Sequence, residues 1–120
     1  MNRIEALNQI GKLVVIDEKT KGKYIGQLLK VKTIPKKPWR GLVKIKGVLA
    51  FPEQNWEKGI TELVKPIYEK DALIEVPGIK IHPYHNEFYG NDYETSIVLC
   101  LHSLVKEYEH LFQQNKMNLV

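Results

Sequence analysis

Residues 24–51 read YIGQLLKVKTIPKKPWRGLVKIKGVLAF: two alternating segments separated by a stretch with two prolines. Proline cannot donate to a β-ladder, so residues 34–39 are expected to connect two strands and not to belong to either. On both sides of this loop, apolar residues alternate with lysines, which is typical of an antiparallel strand with one buried and one solvated face. The stretch therefore predicts a β-hairpin whose outer face carries lysines.

The alternation also predicts which side chains share a face of the hairpin. We expect the buried face to carry the apolar residues Ile25, Leu29, Val31, Val43, Ile45, Leu49 and Phe51. We expect the solvated face to carry Lys30, Lys32, Lys44 and Lys46, and the tip of the hairpin to carry Lys36, Lys37, Trp39 and Arg40. The hairpin thus presents a single basic surface in this interpretation.

Shorter β-rich segments flank the hairpin. Residues 12–17, 63–68, 72–76 and 79–82 are rich in apolar and β-branched side chains and are bounded by polar or glycine-containing turns. Pro77 followed by Gly78 is the signature of a type II turn, in which glycine takes a positive φ. Residues 53–62 fit a loop or a single helical turn. Five or six short strands are therefore expected in all.

Helix signals stand at the two ends of the chain. Asn2 with Glu5 three residues later resembles a capping box, and Gly11 is a plausible stop, so residues 1–11 predict a short helix. Asn91 and Glu94 form a second such pair. The helix that they begin, over residues 92–114, has an apolar stripe formed by Ile97, Val98, Leu101, Leu104, Val105, Tyr108, Leu111 and Phe112. We expect this stripe to cover the open side of the sheet.

Together these segments predict one α+β domain over residues 1–120. Its parts are the short helix, an antiparallel β core over residues 12–83, and the long amphipathic C-terminal helix packed on the sheet. In strand order and loop length, the β core resembles the SH3-like barrels, including those of some ribosomal and translation proteins. The resemblance is one of architecture, and architecture does not transfer function.

Charge is distributed unevenly along the chain. Residues 12–46 hold eleven basic side chains against two acidic ones, a net charge of +9, whereas residues 47–120 have a net charge of −5. The single cysteine excludes an internal disulfide, which fits a reducing compartment. No secretory signal is visible, and no stretch approaches the 20 or so apolar residues that span a bilayer. We therefore expect a cytoplasmic protein that makes no membrane contact.

The basic surface is a candidate site for RNA or DNA. Its lysines would neutralise phosphates, and an exposed Trp39 would stack on a base. The same lysines are equally what a solvated strand face needs to resist aggregation, and the chain contains only two arginines, the residue that reads bases best. If nucleic acid binds, we expect weak sequence specificity.

A protein partner is the stronger hypothesis, and Leu99 is its main candidate residue. Leu99 points away from the apolar stripe of the C-terminal helix, so one helical turn is apolar almost all round. Such a turn is typical of a helix that meets an unidentified partner or a second copy of the same chain, and the aliphatic pair 119–120 would extend the contact. A groove for an extended peptide, lined by aromatic residues, is a further alternative.

Catalysis and metal binding have little support in the sequence. The chain has no phosphate-binding glycine loop, nucleophile elbow or HExxH pattern, so we expect no enzymatic activity and no cofactor. His82, His85 and Glu87 form an incomplete ligand set with no helix to align them, and we interpret them as turn residues rather than as a metal site. Cys100 lies in an apolar run and is expected to be buried rather than nucleophilic. His102 and His110 are expected to be surface residues.

Overall fold

A computed structural model of the protein describes residues 1–58, 62–86 and 92–118. In chain order, its helices and strands are α1 (Arg3–Asn8), β1 (Leu13–Asp17), β2 (Lys23–Lys32), β3 (Arg40–Ala50), β4 (Leu73–Pro77), β5 (Ile81–Pro83) and α2 (Tyr93–Asn118). Single turns of 3-10 helix lie at Lys19–Lys21, Trp56–Lys58 and Gly78–Lys80.

The strands form one antiparallel sheet in the order β4-β3-β2-β1-β5. β4 and β5 occupy opposite edges, which in a flat sheet would lie about 19 Å apart. Only the turn Gly78–Lys80 separates them along the chain, and the four residue steps from Pro77 to Ile81 span about 14 Å at most. The sheet must therefore bend until its edges approach one another. The predicted fold class, an α+β domain with a small bent antiparallel sheet, is confirmed.

The hydrophobic core lies inside this bend and receives side chains from every strand. Its buried members are Val14, Ile16, Tyr24, Leu28, Val43, Ile45, Val48, Val76 and Ile81. Tyr93, Ile97 and Cys100, near the start of α2, are half-buried and pack against this cluster. The helix therefore docks through its first turns.

Two predicted core residues, Leu29 and Leu49, are exposed, so their assignment to the buried face is wrong. The pairing of β2 with β3 shifts register at three places: at Leu29 in β2, and at Lys46 and Leu49 in β3. One extra residue in a strand moves every later side chain to the other face. Leu28 and Val48 consequently occupy the buried positions instead.

The predicted strand at residues 63–68 is also wrong, because this segment is irregular. Its backbone N–H and carbonyl groups form hydrogen bonds with side chains rather than with a neighbouring strand. The amide of Gln54 accepts from the N–H of Val64 at 2.8 Å and donates to its carbonyl at 2.9 Å. The hydroxyl of Tyr24 accepts from the N–H of Ile67 at 2.9 Å, and Pro66 has no N–H to offer.

The prediction of a type II turn at Pro77 and Gly78 is wrong as well. Pro77 has the expected φ of −58° and ψ of 140°, but the chain continues into the 3-10 turn Gly78–Lys80, and Gly78 is not among the residues with positive φ. Glycine is needed here for a different reason: a Cβ on Gly78 would collide with the indole ring of Trp39. Glycine is required here because the indole ring lies close to the backbone, and not because the backbone adopts an unusual φ.

Side-chain caps begin both helices. Asn2 accepts from the N–H of Glu5 at 2.8 Å, as the capping box predicts. For α2, Asp92 accepts from the N–H of Thr95 at 2.6 Å, and this bond lowers the pKa of Asp92. The predicted cap, Asn91, lies outside the described residues. No helix in the described part of the chain combines the length and apolar character needed to cross a membrane.

A buried carboxylate ties three parts of the fold together. Glu18, just after β1, has a side chain that is 7% exposed, and its Oε2 lies 3.0 Å from Nζ of Lys80 in the turn between β4 and β5. Its Oε1 accepts from the hydroxyl of Tyr68 at 3.1 Å. Burial, followed by the nearby charge of Glu18, raises the pKa of Tyr68 to about 12. Glu18 therefore anchors both the turn and the irregular segment before β4.

Candidate interaction surfaces

The pairing of β2 with β3 brings four predicted cations onto one face of the hairpin. Lys32 lies directly opposite Arg40, and Lys30 and Lys44 occupy pairs on the same face. Lys46 lies at a register shift in β3 and is half-buried. The outer face of the hairpin is thus basic, in line with the alternation of the sequence.

Acidic side chains from the region of β4 offset part of this charge. Glu75 Oε1 lies 3.2 Å from Nζ of Lys32 and 3.8 Å from Nε of Arg40. Asp71 lies 3.9 Å from Nζ of Lys44. Among the described residues, the cations of the predicted site that form no ion pair are Lys30, Lys36, Lys37 and Lys46. The free charge is therefore about half of what the sequence indicates.

The tip of the hairpin contains a hollow of about 270 Å³. Its walls combine apolar and charged side chains: Lys32, Ile34, Lys37, Pro38, Trp39, Arg40, Glu75 and Pro77. Trp39 is half-buried, since its ring packs on Gly78 and its indole N–H donates to the carbonyl of Met1 at 3.3 Å. The expectation of an exposed tryptophan at the tip is wrong.

Three further lysines of the +9 segment lie away from the hairpin tip. Lys19, Lys21 and Lys23 flank the connection between β1 and β2, at the end of β2 opposite the hairpin tip. Nine residue steps along β2 separate the two groups by about 30 Å. The basic residues are therefore spread along the whole length of the hairpin, with Lys30, Lys44 and Lys46 between its two ends.

A larger apolar groove lies between the end of β3 and α2, with a volume of about 390 Å³. We call it the β3–α2 groove; its lining residues are Ile25, Val48, Leu49, Ala50, Phe51, Tyr84, Ser96, Leu99, Cys100, Ser103, Leu104 and Glu107. Leu99, the predicted partner residue, is 53% exposed, and Leu49 is 42% exposed. Among the described residues that line the groove, Glu107 is the one carboxylate. The groove thus offers an open apolar surface beside a negative charge.

Two side chains of α2 hold the base of this groove in place by binding the backbone of Val48. Ser96 is buried, and its hydroxyl accepts from the N–H of Val48 at 2.9 Å. The thiol of Cys100 donates to the carbonyl of Val48 at 3.3 Å, and burial raises the pKa of this thiol. A raised pKa opposes thiolate formation, so Cys100 has the setting of a structural residue and not of a nucleophile.

The opposite side of α2 carries a second row of apolar side chains, which we call the outer stripe: Val98, Leu101, Val105, Tyr108 and Phe112. Val98 is 64% and Phe112 is 59% exposed. Tyr108 packs against Trp56, with ring centroids 5.4 Å apart. The expectation that the helix buries one wide stripe on the sheet is therefore wrong, because the residues of α2 that pack against the core are Tyr93, Ile97 and Cys100, on a narrower face.

The other candidate residues, for a metal site and for an aromatic groove, are not brought together in the described part of the chain. His82 pairs with Val15 in the sheet, and both His82 and His85 are exposed; Glu87 lies outside the described residues, as do residues 119–120. The described residues contain no group of three or more His, Cys, Asp or Glu side chains placed to hold a metal ion. The aromatic residues do not line one groove either, because Tyr24 is fully buried and Tyr68 packs edge-on against it at 4.8 Å.

Comparison with known proteins shows a similarity of fold. No protein-family model and no curated protein matches the chain. Among solved structures, the chain is similar to the crystal structure of kinase-associated protein B from Bacillus cereus, with a TM-score of 0.58 and 24% sequence identity. The match covers 83% of this chain and 76% of that one. At this level of identity, the similarity supports the shared fold alone.

Sequence reasoning selected Leu99 but missed the groove that surrounds it. Alternation alone predicts that Leu49 lies in the core, and it carries no sign of the register shifts in β3 that expose this residue. One signal was available: Ser96 is a small polar residue beside the apolar stripe of α2, three positions before Leu99. A small polar residue at such a position in a helix often forms a hydrogen bond from its side chain to a backbone group.

Proposed function

We propose that this protein is a non-enzymatic binding module that docks a segment of a protein partner in the β3–α2 groove. The observation that carries the proposal is the open apolar lining of this groove, with exposed Leu99 and Leu49 on its rims. Apolar clefts with few polar groups are the usual place for an anchoring side chain. The solved structure of similar fold is named kinase-associated, which makes a segment of a kinase the first partner class to test.

The lining of the groove supports a proposal for the chemistry of the segment. Its walls are aliphatic and aromatic, and Glu107 supplies a negative charge near Leu104 and Ser103. A short amphipathic segment fits this surface if it carries a bulky apolar anchor and a nearby lysine or arginine. The apolar anchor contributes most of the affinity, and the charge pair contributes orientation and selectivity.

Peptides that tile the kinases encoded in the same genome provide the probe. We expect Leu99→Arg to reduce the affinity of groove-binding peptides at least tenfold, because it places a solvated cation on the apolar rim. Val98→Arg is the matched control, since the neighbouring residue lies on the outer stripe and should leave binding unchanged. A bound peptide should also slow alkylation of Cys100, which lines the groove. Peptides that bind wild type and Leu99→Arg equally would contradict the proposal.

Nucleic-acid binding is the second candidate, and the four unpaired lysines of the hairpin favour it. We expect only weak binding to a labelled oligonucleotide, with log K falling against log salt at a slope of about −3 if four phosphates are neutralised. Lys36→Glu with Lys37→Glu should abolish it. The same double reversal at Lys19 and Lys21 is the control, because it changes net charge equally at the far end of β2. Equal losses in both variants, or no binding at 50 mM salt, would remove this candidate.

A further inference from the structure

We infer that the outer stripe of α2 is a self-association surface, on which the helix of a second copy packs in the antiparallel direction. The five residues of the stripe follow one another at intervals of three, four, three and four. This is the heptad spacing of helices that pair through a narrow seam, whereas the face toward the sheet is already occupied. The inference uses a different face of α2 from the proposed function.

The order of side chains along the stripe selects the antiparallel arrangement. One register places Leu101 against the partner's Phe112 and Val105 against the partner's Tyr108. The two-fold axis repeats both contacts, so the four layers formed by all stripe residues except Val98 each pair an aliphatic with an aromatic side chain. A parallel pair would instead place Phe112 against the partner's Phe112 and Tyr108 against the partner's Tyr108. The antiparallel order fills the seam more evenly.

Polar residues beside the stripe complement one another in the same register. His102 and Glu109 are both exposed and occupy equivalent heptad positions that flank the seam, seven residues apart. In antiparallel helices these positions face each other, so His102 meets the partner's Glu109, and the axis repeats this contact too. An imidazole N–H and a carboxylate form a favourable pair. The surface is thus complementary to itself, which argues for a second copy rather than for an unrelated helix.

The position of the outer stripe within the fold is compatible with this contact. Trp56 packs against Tyr108 at 5.4 Å and limits the motion of a central aromatic residue. Helix α2 is about 39 Å long, and the molecule measures 61 × 31 × 22 Å. In the antiparallel pair, the two sheets lie at opposite ends of the joined helices, so they do not compete for space. Because only four layers meet, the dimer is expected to depend on protein concentration.

Sedimentation velocity over about 10 µM to 1 mM protein tests the inference. Wild type should shift from monomer to dimer across this range. Val105→Glu, at the centre of the seam, should stay monomeric throughout, and the retained helix content is checked by circular dichroism. Leu99→Arg, on the groove side of the same helix, is the matched control and should dimerise like wild type. A wild-type chain that is monomeric at 1 mM overturns the inference, as does a dimer that survives Val105→Glu.

A charge swap tests the antiparallel register. His102→Glu places two carboxylates together at each end of the seam and should weaken dimerisation about fivefold. Adding Glu109→Lys restores an opposite pair and should return the dissociation constant to within about twofold of wild type. A double variant as weak as His102→Glu alone overturns the antiparallel pair, even if the chain dimerises. If the wild-type chain dimerises but binds none of the peptides in the groove, the result counts against the proposed function alone.

Discussion

Trp39→Ala is expected to lower the free energy of unfolding by about 3 kcal/mol. The indole ring packs on Gly78, borders Gly41 and donates to the carbonyl of Met1, so its removal leaves a cavity where β3 meets the turn between β4 and β5. Urea unfolding followed by circular dichroism measures the loss, and the melting temperature should fall by about 10 °C. A change below 1 kcal/mol would contradict a structural role for this tryptophan.

A double-mutant cycle shows whether the contact with Gly78 carries the effect. Gly78→Ala alone should be strongly destabilising, because the new methyl group displaces the indole ring. In the Trp39→Ala background, the same methyl group enters the vacated space and should cost little. Trp56→Ala is a comparison at the other tryptophan, whose half-buried ring packs on Tyr108 of α2, and its cost should be smaller.

Lys80→Met is expected to lower the free energy of unfolding by about 2 kcal/mol. It leaves the Glu18 carboxylate buried without its cation, and removing one member of a buried pair usually costs more than the pair contributes. We place the value below the usual range because the Lys80 side chain is 38% exposed. Equilibrium unfolding near pH 7 measures the difference.

Two variants separate loss of the ion pair from loss of packing. Adding Glu18→Gln to Lys80→Met removes the uncompensated charge and keeps an acceptor for Tyr68, so stability should partly return. Lys70→Met makes the same chemical change in the exposed pair of Lys70 with Glu94, at 3.6 Å, and should alter stability by less than about 0.5 kcal/mol. Equal costs for Lys70→Met and Lys80→Met would contradict a special role for burial.

The parts of the fold that follow local rules could be predicted from the sequence. Alternation with lysine indicates β2 and β3, two prolines indicate their connection, and the Asn2 cap indicates α1. The errors arise where one residue depends on a distant one. The inserted residues that expose Leu29 and Leu49 leave no mark in the alternation, because an extra apolar residue looks like an ordinary member of the strand.

Long-range contacts explain the remaining differences at the candidate sites. Gln54 makes the hydrogen bonds to the backbone of Val64 that a neighbouring strand would otherwise make, and the Glu75 carboxylate offsets the charge of Lys32. In neither case is the partner an immediate neighbour in sequence. The sequence around Trp39 has the composition of an exposed loop. Gly78, nearly forty residues later, nevertheless provides the surface that covers the indole ring. Charge and hydropathy patterns therefore locate surfaces but do not say which of their groups are already paired.

The bonds from Ser96 and Cys100 to Val48 also give α2 a protective role. They occupy the N–H and carbonyl of a residue near the end of β3, beyond the stretch that pairs with β4. Unpaired groups of this kind at a strand end are templates for pairing with another chain. If α2 detached, this backbone and the adjacent apolar lining would be exposed together, and we expect aggregation to begin at that point. We therefore expect α2 to limit fibre-like association, in addition to the binding role that we propose for it.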